Sequence, residues 1–319
     1  MGFGFWVLGF TRKIPSIMKI LVTGSSGTIG TRLCEKLIEK GYDVIGVDWK
    51  PNKWEEEINK ITVIADLRDK ENLKDIPTDV DAIVHLAANA RVYDLVKEPD
   101  MARDNFLSTY NILEFARENK INRFMFTSSR ETYGNDTNEA HTEDMVRVDN
   151  CESAYTASKI GGEALVKAYW RCYGIDGIVL RLSNVYGMYD DSDRVVPLFI
   201  GQAKRNETMT VFGKEKCLDF TYIDDTVNGL ILALEKFENA KNETINLAYG
   251  EATTIVHLAE AVKELLGSSS EIKLEDNRTG EVVRYVADIT KAREKLGYEP
   301  ETSFEDGIRQ TVDWYNTSL

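Results

Sequence analysis

The chain has 319 residues, enough for one large domain or two of ordinary size. With 43% hydrophobic and 29% charged residues it has the composition of a globular protein with a substantial core, which excludes wholesale disorder. A formal net charge of −14 repels polyanions, so nucleic acid is not expected as a partner, and any bound phosphate has to be held by local geometry.

Residues 1–17 carry an apolar cluster, Phe3, Phe5, Trp6, Val7, Leu8 and Phe10, followed rather than preceded by Arg12 and Lys13. That polarity is the reverse of a signal peptide, and the run is far shorter than the roughly 18 apolar residues that cross a bilayer. The segment reads as a disordered extension or the product of an upstream start codon, and no membrane association is expected. Four cysteines without a C-x-x-C fit a reduced, cytoplasmic protein. His85, His141 and His257 are scattered, so they read as packing or surface histidines and no metal site is expected.

From Lys19 onward, short β-branched runs alternate with amphipathic segments. Strands are expected at 19–24, 43–48, 61–66, 81–88, 123–129 and 177–184, and helices at about 28–40, 100–118 and 154–173. Alternating β and α units with continuously apolar strands predict an α/β fold, a Rossmann-type doubly wound parallel sheet over residues 18–183. After Asn184 the pattern becomes irregular and predicts a smaller C-terminal α/β substrate lobe, 184–319, interleaved with the sheet. Its strands are expected at 210–212 and 244–248. Its helices are expected at about 226–236, 254–266 and 304–315, with Gly267 as a C-cap.

The first strand ends in Gly24-Ser-Ser-Gly27-Thr28-Ile29-Gly30, and a helix opens at once. Missing side chains permit a tight turn and close approach of backbone to a pyrophosphate, while the helix start offers free N–H donors. Asp48 lies 18 residues beyond Gly30 at the end of the second strand, where a carboxylate accepts hydrogen bonds from an adenosine ribose. The pair predicts NAD rather than NADP, although Lys50 nearby is a cation that could tolerate a 2′-phosphate. Asp66 ends the third strand, placed either to meet an adenine edge or to cap the next segment.

Tyr155 and Lys159 are four apart in Ala154-Tyr-Thr-Ala-Ser-Lys, so a helix puts them on one face. A free phenol titrates near 10; an ammonium about 4 Å away contributes roughly three pKa units towards a usable base. The same stretch follows a strand ending in Thr127-Ser128-Ser129, at the sheet edge where such folds bind ligands.

With these pieces in order, the chain resembles the extended short-chain dehydrogenase/reductase superfamily, in particular its nucleotide-sugar epimerases and dehydratases. The resemblance runs from Lys19 to Tyr315 and includes GSSGTIG, Asp48, Asp66-Leu67, HLAA at 85–88, TSSRETYG at 127–134, YTASK at 155–159, RLSNVYG at 181–187 and RTGEV at 278–282. It implies a catalytic Ser129, Tyr155 and Lys159, with Lys159 also holding the nicotinamide ribose. It implies that Leu67, Leu86, Ala87 and Ala88 join the glycine turn around NAD. Asn184 and Arg278 would meet the diphosphate of a UDP-sugar. Val196, Phe199 and Phe212 would form a uridine pocket, unless these apolar residues are core.

The implied reaction is a UDP-glucose/UDP-galactose 4-epimerisation through a 4-keto sugar, performed by a homodimer packed through the helices near 100–118 and 154–173. The alternative is a UDP-glucuronate 4-epimerase or decarboxylase, in which the hydroxyls of Thr127, Ser128 and Ser129 with Arg130-Glu131 hold a sugar carboxylate, unless Arg130 and Glu131 are a surface-facing pair. A reductase and a non-catalytic dinucleotide sensor are further readings; the sensor conflicts with retention of all three catalytic residues. Two departures stand out. Leu218 occupies a place where many relatives carry a phosphate-binding Arg, with Lys214 or Lys216 as substitutes. Arg130-Glu131 follows the active-site hydroxyl where 4,6-dehydratases carry Asp-Glu.

Overall fold

The computed structural model describes residues 17–135, 140–277 and 282–318. The extension read over 1–17 lies outside these except for Ile17, and so does Arg278. In chain order the first strands are β1 (Lys19–Thr23), β2 (Asp43–Asp48), β3 (Thr62–Ile64), β4 (Ala82–His85), β5 (Arg123–Ser129) and β6 (Asp176–Leu182). The helices among and after them are α1 (Thr28–Glu39), α2 (Glu56–Ile61), α3 (Val92–Lys97), α4 (Asp100–Glu118) and α5 (Ala154–Tyr173).

Successive residues Ile20, Leu21 and Val22 are all fully buried, because helices cover both faces of a parallel sheet. Ile20 and Val22 face a cluster with Leu33 and Leu37 of α1; Leu21 faces one with Ile112 and Leu113 of α4 and Val166 of α5. The later strands are β7 (Asn184–Tyr186), β8 (Met209–Phe212), β9 (Cys217–Leu218), β10 (Phe220–Tyr222), β11 (Thr244–Leu247), β12 (Thr253–Thr254), β13 (Ile272–Glu275) and β14 (Arg284–Tyr285). β11 pairs in parallel with β6, giving a seven-stranded sheet in the order β11-β6-β5-β4-β1-β2-β3. The order turns back at β1 and β4, and the crevice beyond their carboxyl ends is where open α/β sheets take ligands.

Helices α6 (Val195–Lys204) and α7 (Ile223–Glu235) precede Ile255–Leu265, Thr290–Leu296 and Phe304–Ser318. Thr254 caps the Ile255–Leu265 helix by accepting from the His257 amide at 3.1 Å, and Gly267 just after it is left-handed at φ +57°. The third strand is shorter than its apolar run, since Ile61 closes α2 instead. α3 and α6 had no expectation in the sequence. α6 places Pro197 in its first turn, where a missing N–H costs nothing.

Candidate active site

The glycine turn is dictated by crowding. Gly24 is left-handed at φ +76°, and a Cβ there would stand 2.8 Å from the Ala87 amide nitrogen; at Gly30 a Cβ would come within 1.9 Å of the Gly24 carbonyl oxygen. Only bare backbone fits, which leaves the start of α1 open to the crevice. Asp48 lies beside it, accepting from the Ser26 amide at 3.0 Å and the Lys50 amide at 3.2 Å. Those bonds use two of about four lone-pair sites on the carboxylate. Burial pushes its carboxyl above the ordinary value against these hydrogen bonds.

The crevice continues from a cavity of about 440 Å³ lined by Gly24, Gly27, Asp48, Trp49, Asp66, Leu67, Leu86, Ala87 and Ala88. A second cavity, of about 650 Å³, shares Gly24 and Gly27 and adds Thr28, Ile29, Gly30, Ser128, Ser129, Arg130, Tyr155, Lys159, Asn184 and Val196. The first half holds Asp48 among largely apolar walls, and the second holds Ser129, Tyr155 and Lys159. Glycine cradle, Asp48 and length together fit a dinucleotide.

Ser153 caps α5 by accepting from the Thr156 amide at 3.1 Å, which fixes where the helix starts and puts Tyr155 in its first turn. Tyr155 and Lys159 are each 6% exposed. The lysine Nζ donates to the Thr127 carbonyl at 2.8 Å, and Thr127 Oγ1 donates to the His85 carbonyl at 2.9 Å, so β4, β5 and α5 are tied together under the site. His85 itself is wedged between Thr23 Oγ1 at 2.7 Å and Thr109 Oγ1 at 3.1 Å; burial, then the Lys159 charge, pulls its pKa down to about 3.

The electrostatics correct the expectation of a phenol acidified by its lysine. Burial pushes the Tyr155 phenol up to about 12, with a Ser129 hydrogen bond and the charges of Arg194 and Arg130 pulling down and Glu131 pushing up. Lys159 Nζ lies 5.8 Å from the Tyr155 ring centroid. Burial also pulls Lys159 down to about 8, opposed by the Glu163 carboxylate. In the polypeptide alone desolvation is the largest cause for both groups and neither acts measurably on the other, in the sense expected for two buried groups.

Beneath the site is a network with no signal in the spacing. Glu163, one turn beyond Lys159, receives Arg181 Nε at 2.9 Å and Nη2 at 2.8 Å, and Ser128 Oγ at 2.6 Å. Burial works against its charge, but the guanidinium outweighs this and holds the carboxyl below the usual range. Arg181 also donates to Tyr133 Oη at 3.0 Å and to the Glu143 carbonyl at 2.8 Å. The Ser128 hydroxyl is thus committed below the crevice, while Ser129 faces its base.

Asn184 takes Arg130 Nε at 3.0 Å on its Oδ1 and gives its Nδ2 to the Asp219 carbonyl at 3.0 Å. Val196 lines the crevice. Phe199, 1% exposed, belongs to the core cluster and is not among the lining residues, and neither is Phe212 of β8. Leu218 is a buried member of β9 at the crevice wall, so no guanidinium stands there. Asp66 is forked onto Arg68, which reaches Asp104 at 2.9 Å and covers Trp49 with its guanidinium 5.3 Å from the ring centre.

The family model "NAD dependent epimerase/dehydratase family" matches residues 20–248. The chain belongs to the NAD-dependent epimerase/dehydratase family. Its cofactor is NAD. A Methanocaldococcus jannaschii protein provisionally named a UDP-glucose 4-epimerase is 36% identical over 92% of this chain and 97% of its own. The UDP-glucuronate 4-epimerase of Thermodesulfobacterium geofontis is 32% identical over 94% and 96%. The crystal structure of Thermotoga maritima UDP-glucose 4-epimerase with UDP-glucose superimposes with a TM-score of 0.86 at 34% identity, covering 95% of this chain and all (100%) of that one. These relatives support a nucleotide-sugar epimerase or dehydratase chemistry at this crevice.

Within this epimerase/dehydratase site the sequence missed a clasp. Tyr189, 8% exposed and left-handed at φ +64°, accepts Thr28 Oγ1 on its carbonyl at 2.9 Å and sets its hydroxyl between Glu35 and Glu55. The loop it anchors sends Asp191 to Lys53 and Asp193 to Arg91, two ion pairs across the crevice. Tyr189 gave no cue, because a non-glycine residue at positive φ is set by its tertiary contacts. Among the described residues no helix is long and apolar enough to cross a membrane, and no cluster of His, Cys, Asp and Glu forms a metal site.

Proposed function

We propose that the protein is a UDP-hexose 4-epimerase that interconverts UDP-glucose and UDP-galactose through a 4-keto sugar. The observation that carries this reading is that Ser129, the buried Tyr155 and Lys159, one helical turn on, all line the same cavity as the glycine turn. Bound NAD supplies the hydride acceptor and donor for C4. The Tyr155 oxygen takes the O4 proton as the carbonyl forms and returns it when the carbonyl is reduced. Ser129 holds that oxygen and O4 in line. Lys159, pinned by the Thr127 carbonyl, provides the cation that opposes the desolvation of the phenolate. Asn184 and Arg278 are proposed for the diphosphate, and Val196 for the uridine.

The proton and hydride both return to the sugar, so no external reductant is consumed. Incubation with UDP-glucose, UDP-galactose and UDP-glucuronate, read by NMR, tests this; conversion of none of them, or stoichiometric consumption of added NADH, overturns it. One observation favours the hexuronate as a second reading: Arg130 Nη1 is buried at the crevice wall without a hydrogen-bond partner, a donor that suits a sugar carboxylate.

We also propose a homodimer, supported by Phe106 and Leu107 of α4 and Tyr173 of α5, which are 43%, 36% and 56% exposed, and a cytoplasmic location, supported by four cysteines that are all free. Sedimentation equilibrium at micromolar concentration should give twice the chain mass. A monomer at that concentration would overturn it.

A further inference from the structure

Arg130 and Glu131 follow Ser129 directly and share its crevice with Tyr155. Their side chains are 13% and 16% exposed and are ion-paired, Nη2 to Oε1, at 2.7 Å. The guanidinium is also fixed from other sides: Nε is on Asn184 Oδ1, and the group lies 5.6 Å from the centre of the Tyr285 ring. The Glu131 amide donates to Ser129 Oγ at 3.2 Å, so its carboxylate is carried on the residue pair next to the catalytic hydroxyl, close enough for its charge to act on Tyr155.

A carboxylate in this place is a hazard for the proposed reaction, on whose 4-keto sugar this inference rests. A carbonyl at C4 makes the hydrogens on C3 and C5 acidic. A free carboxylate that reaches C5 takes that proton and the electron pair passes into the enolate; then either solvent returns a proton to C5, or the 6-hydroxyl leaves as water with the proton the carboxylate took, and the hydride removed from C4 is delivered to C6 as a proton returns to C5, giving the 4-keto-6-deoxy sugar. Only the first outcome restores the sugar. An epimerase that changes C4 alone has to keep such a carboxylate occupied.

We propose that Arg130 is the residue that fixes reaction outcome: by holding Glu131 in a rigid, charge-assisted pair it keeps the carboxylate off C5 and confines the chemistry to C4. The planar fork matters, because its remaining contacts to Asn184 and Tyr285 prevent the pair from swinging as a unit.

The test is the NAD-loaded full chain turning over UDP-glucose in D2O at pH 8, with NMR reading solvent deuterium at C5 per C4 inversion, together with any 4-keto-6-deoxy product. The readout is a ratio, so a slower variant is read equally well. Wild type should show essentially no C5 deuterium. Arg130→Met should raise the ratio at least tenfold, Arg130→Lys should give a smaller rise, and adding Glu131→Gln to Arg130→Met should return it to the wild-type level. Arg130→Lys keeps the charge and serves where the Met variant does not fold. Epimerising Arg130 variants with no more C5 deuterium than wild type overturn the inference alone, as does exchange that survives Glu131→Gln. A wild type that epimerises none of UDP-glucose, UDP-galactose and UDP-glucuronate overturns the proposed function and this inference with it.

Discussion

At the scale of single residues the decisive quantities are two proton affinities set mainly by burial. Tyr155 sits up at about 12 and Lys159 down at about 8, each displaced in the direction that disfavours its charged form. Replacing Tyr155 by Phe removes the proposed proton carrier without touching the glycine turn. Turnover should fall by about 10²- to 10⁴-fold, the usual worth of a positioned acid–base group, while NAD affinity measured by calorimetry stays within a few-fold. The lysine sets a pH limit. In the proposed role its ammonium supports the phenolate, so kcat/KM should climb with phenol ionisation up to about pH 8 and stop climbing above it as Lys159 loses its proton. Stability does not level off there: the folded pKa lies below the ordinary lysine value of 10.5, so the unfolded chain binds more protons between about pH 8 and 10.5 and stability rises across that window. Urea titrations at pH 7.5 and 10 would show it; a stability that falls between them contradicts the stability assignment, and a kcat/KM that keeps climbing about tenfold per pH unit past pH 8 contradicts the role given to Lys159.

Elements carry these residues, and the sequence reveals the elements unevenly. The four-residue spacing of Tyr155 and Lys159, the glycine turn and the apolar runs were legible because each is a local pattern matched to a helix face, a forbidden Cβ or a buried strand, the run at 61–66 excepted, where only the short β3 forms and Ile64 is exposed. The two-residue strands β9, β12 and β14 were not, since they exist only through each other. Nor was the Glu163–Arg181 pair, whose partners are 18 residues apart on α5 and β6. That pair is 5% and 2% exposed and joins α5 to the sheet. Replacing Glu163 by Leu strands a buried guanidinium and should cost about 3–5 kcal/mol in chemical denaturation. The milder Glu163→Gln also removes the charge that holds Lys159 up, so the point at which kcat/KM stops climbing should move to lower pH. The glycine turn makes an independent test. In Gly30→Ala the new Cβ would meet the Gly24 carbonyl at 1.9 Å, so the turn has to open; NAD binding should be lost and stability should fall by about 2–4 kcal/mol.

The whole molecule presents its anionic ligands with a conflict between far and near fields. Its net charge of −14 repels a nucleoside diphosphate sugar at a distance. The reactive half of the crevice is locally of the other sign, with Lys50, Lys53, Arg91, Arg130, Lys159 and Arg194 against Glu131, Asp190, Asp191 and Asp193. Salt separates the two. At about 0.01 M the screening length is roughly 30 Å and the whole field is felt, whereas at about 0.15 M it is roughly 8 Å and only the crevice counts. For dilute UDP-sugar, kcat/KM should therefore rise a few-fold between these conditions as the distant repulsion is screened, the opposite of an enzyme that steers its substrate in. At still higher salt the rise should reverse, because the crevice cations are screened too. The exposed pairs Lys53–Asp191 and Arg91–Asp193 that close the clasp, each worth at most about 1 kcal/mol, weaken over the same range. Loss of the clasp should also speed NAD release, which stopped-flow displacement reads separately from turnover. A kcat/KM that falls steadily from the lowest salt would mean that the crevice cations, rather than the acidic exterior, govern the approach of the substrate.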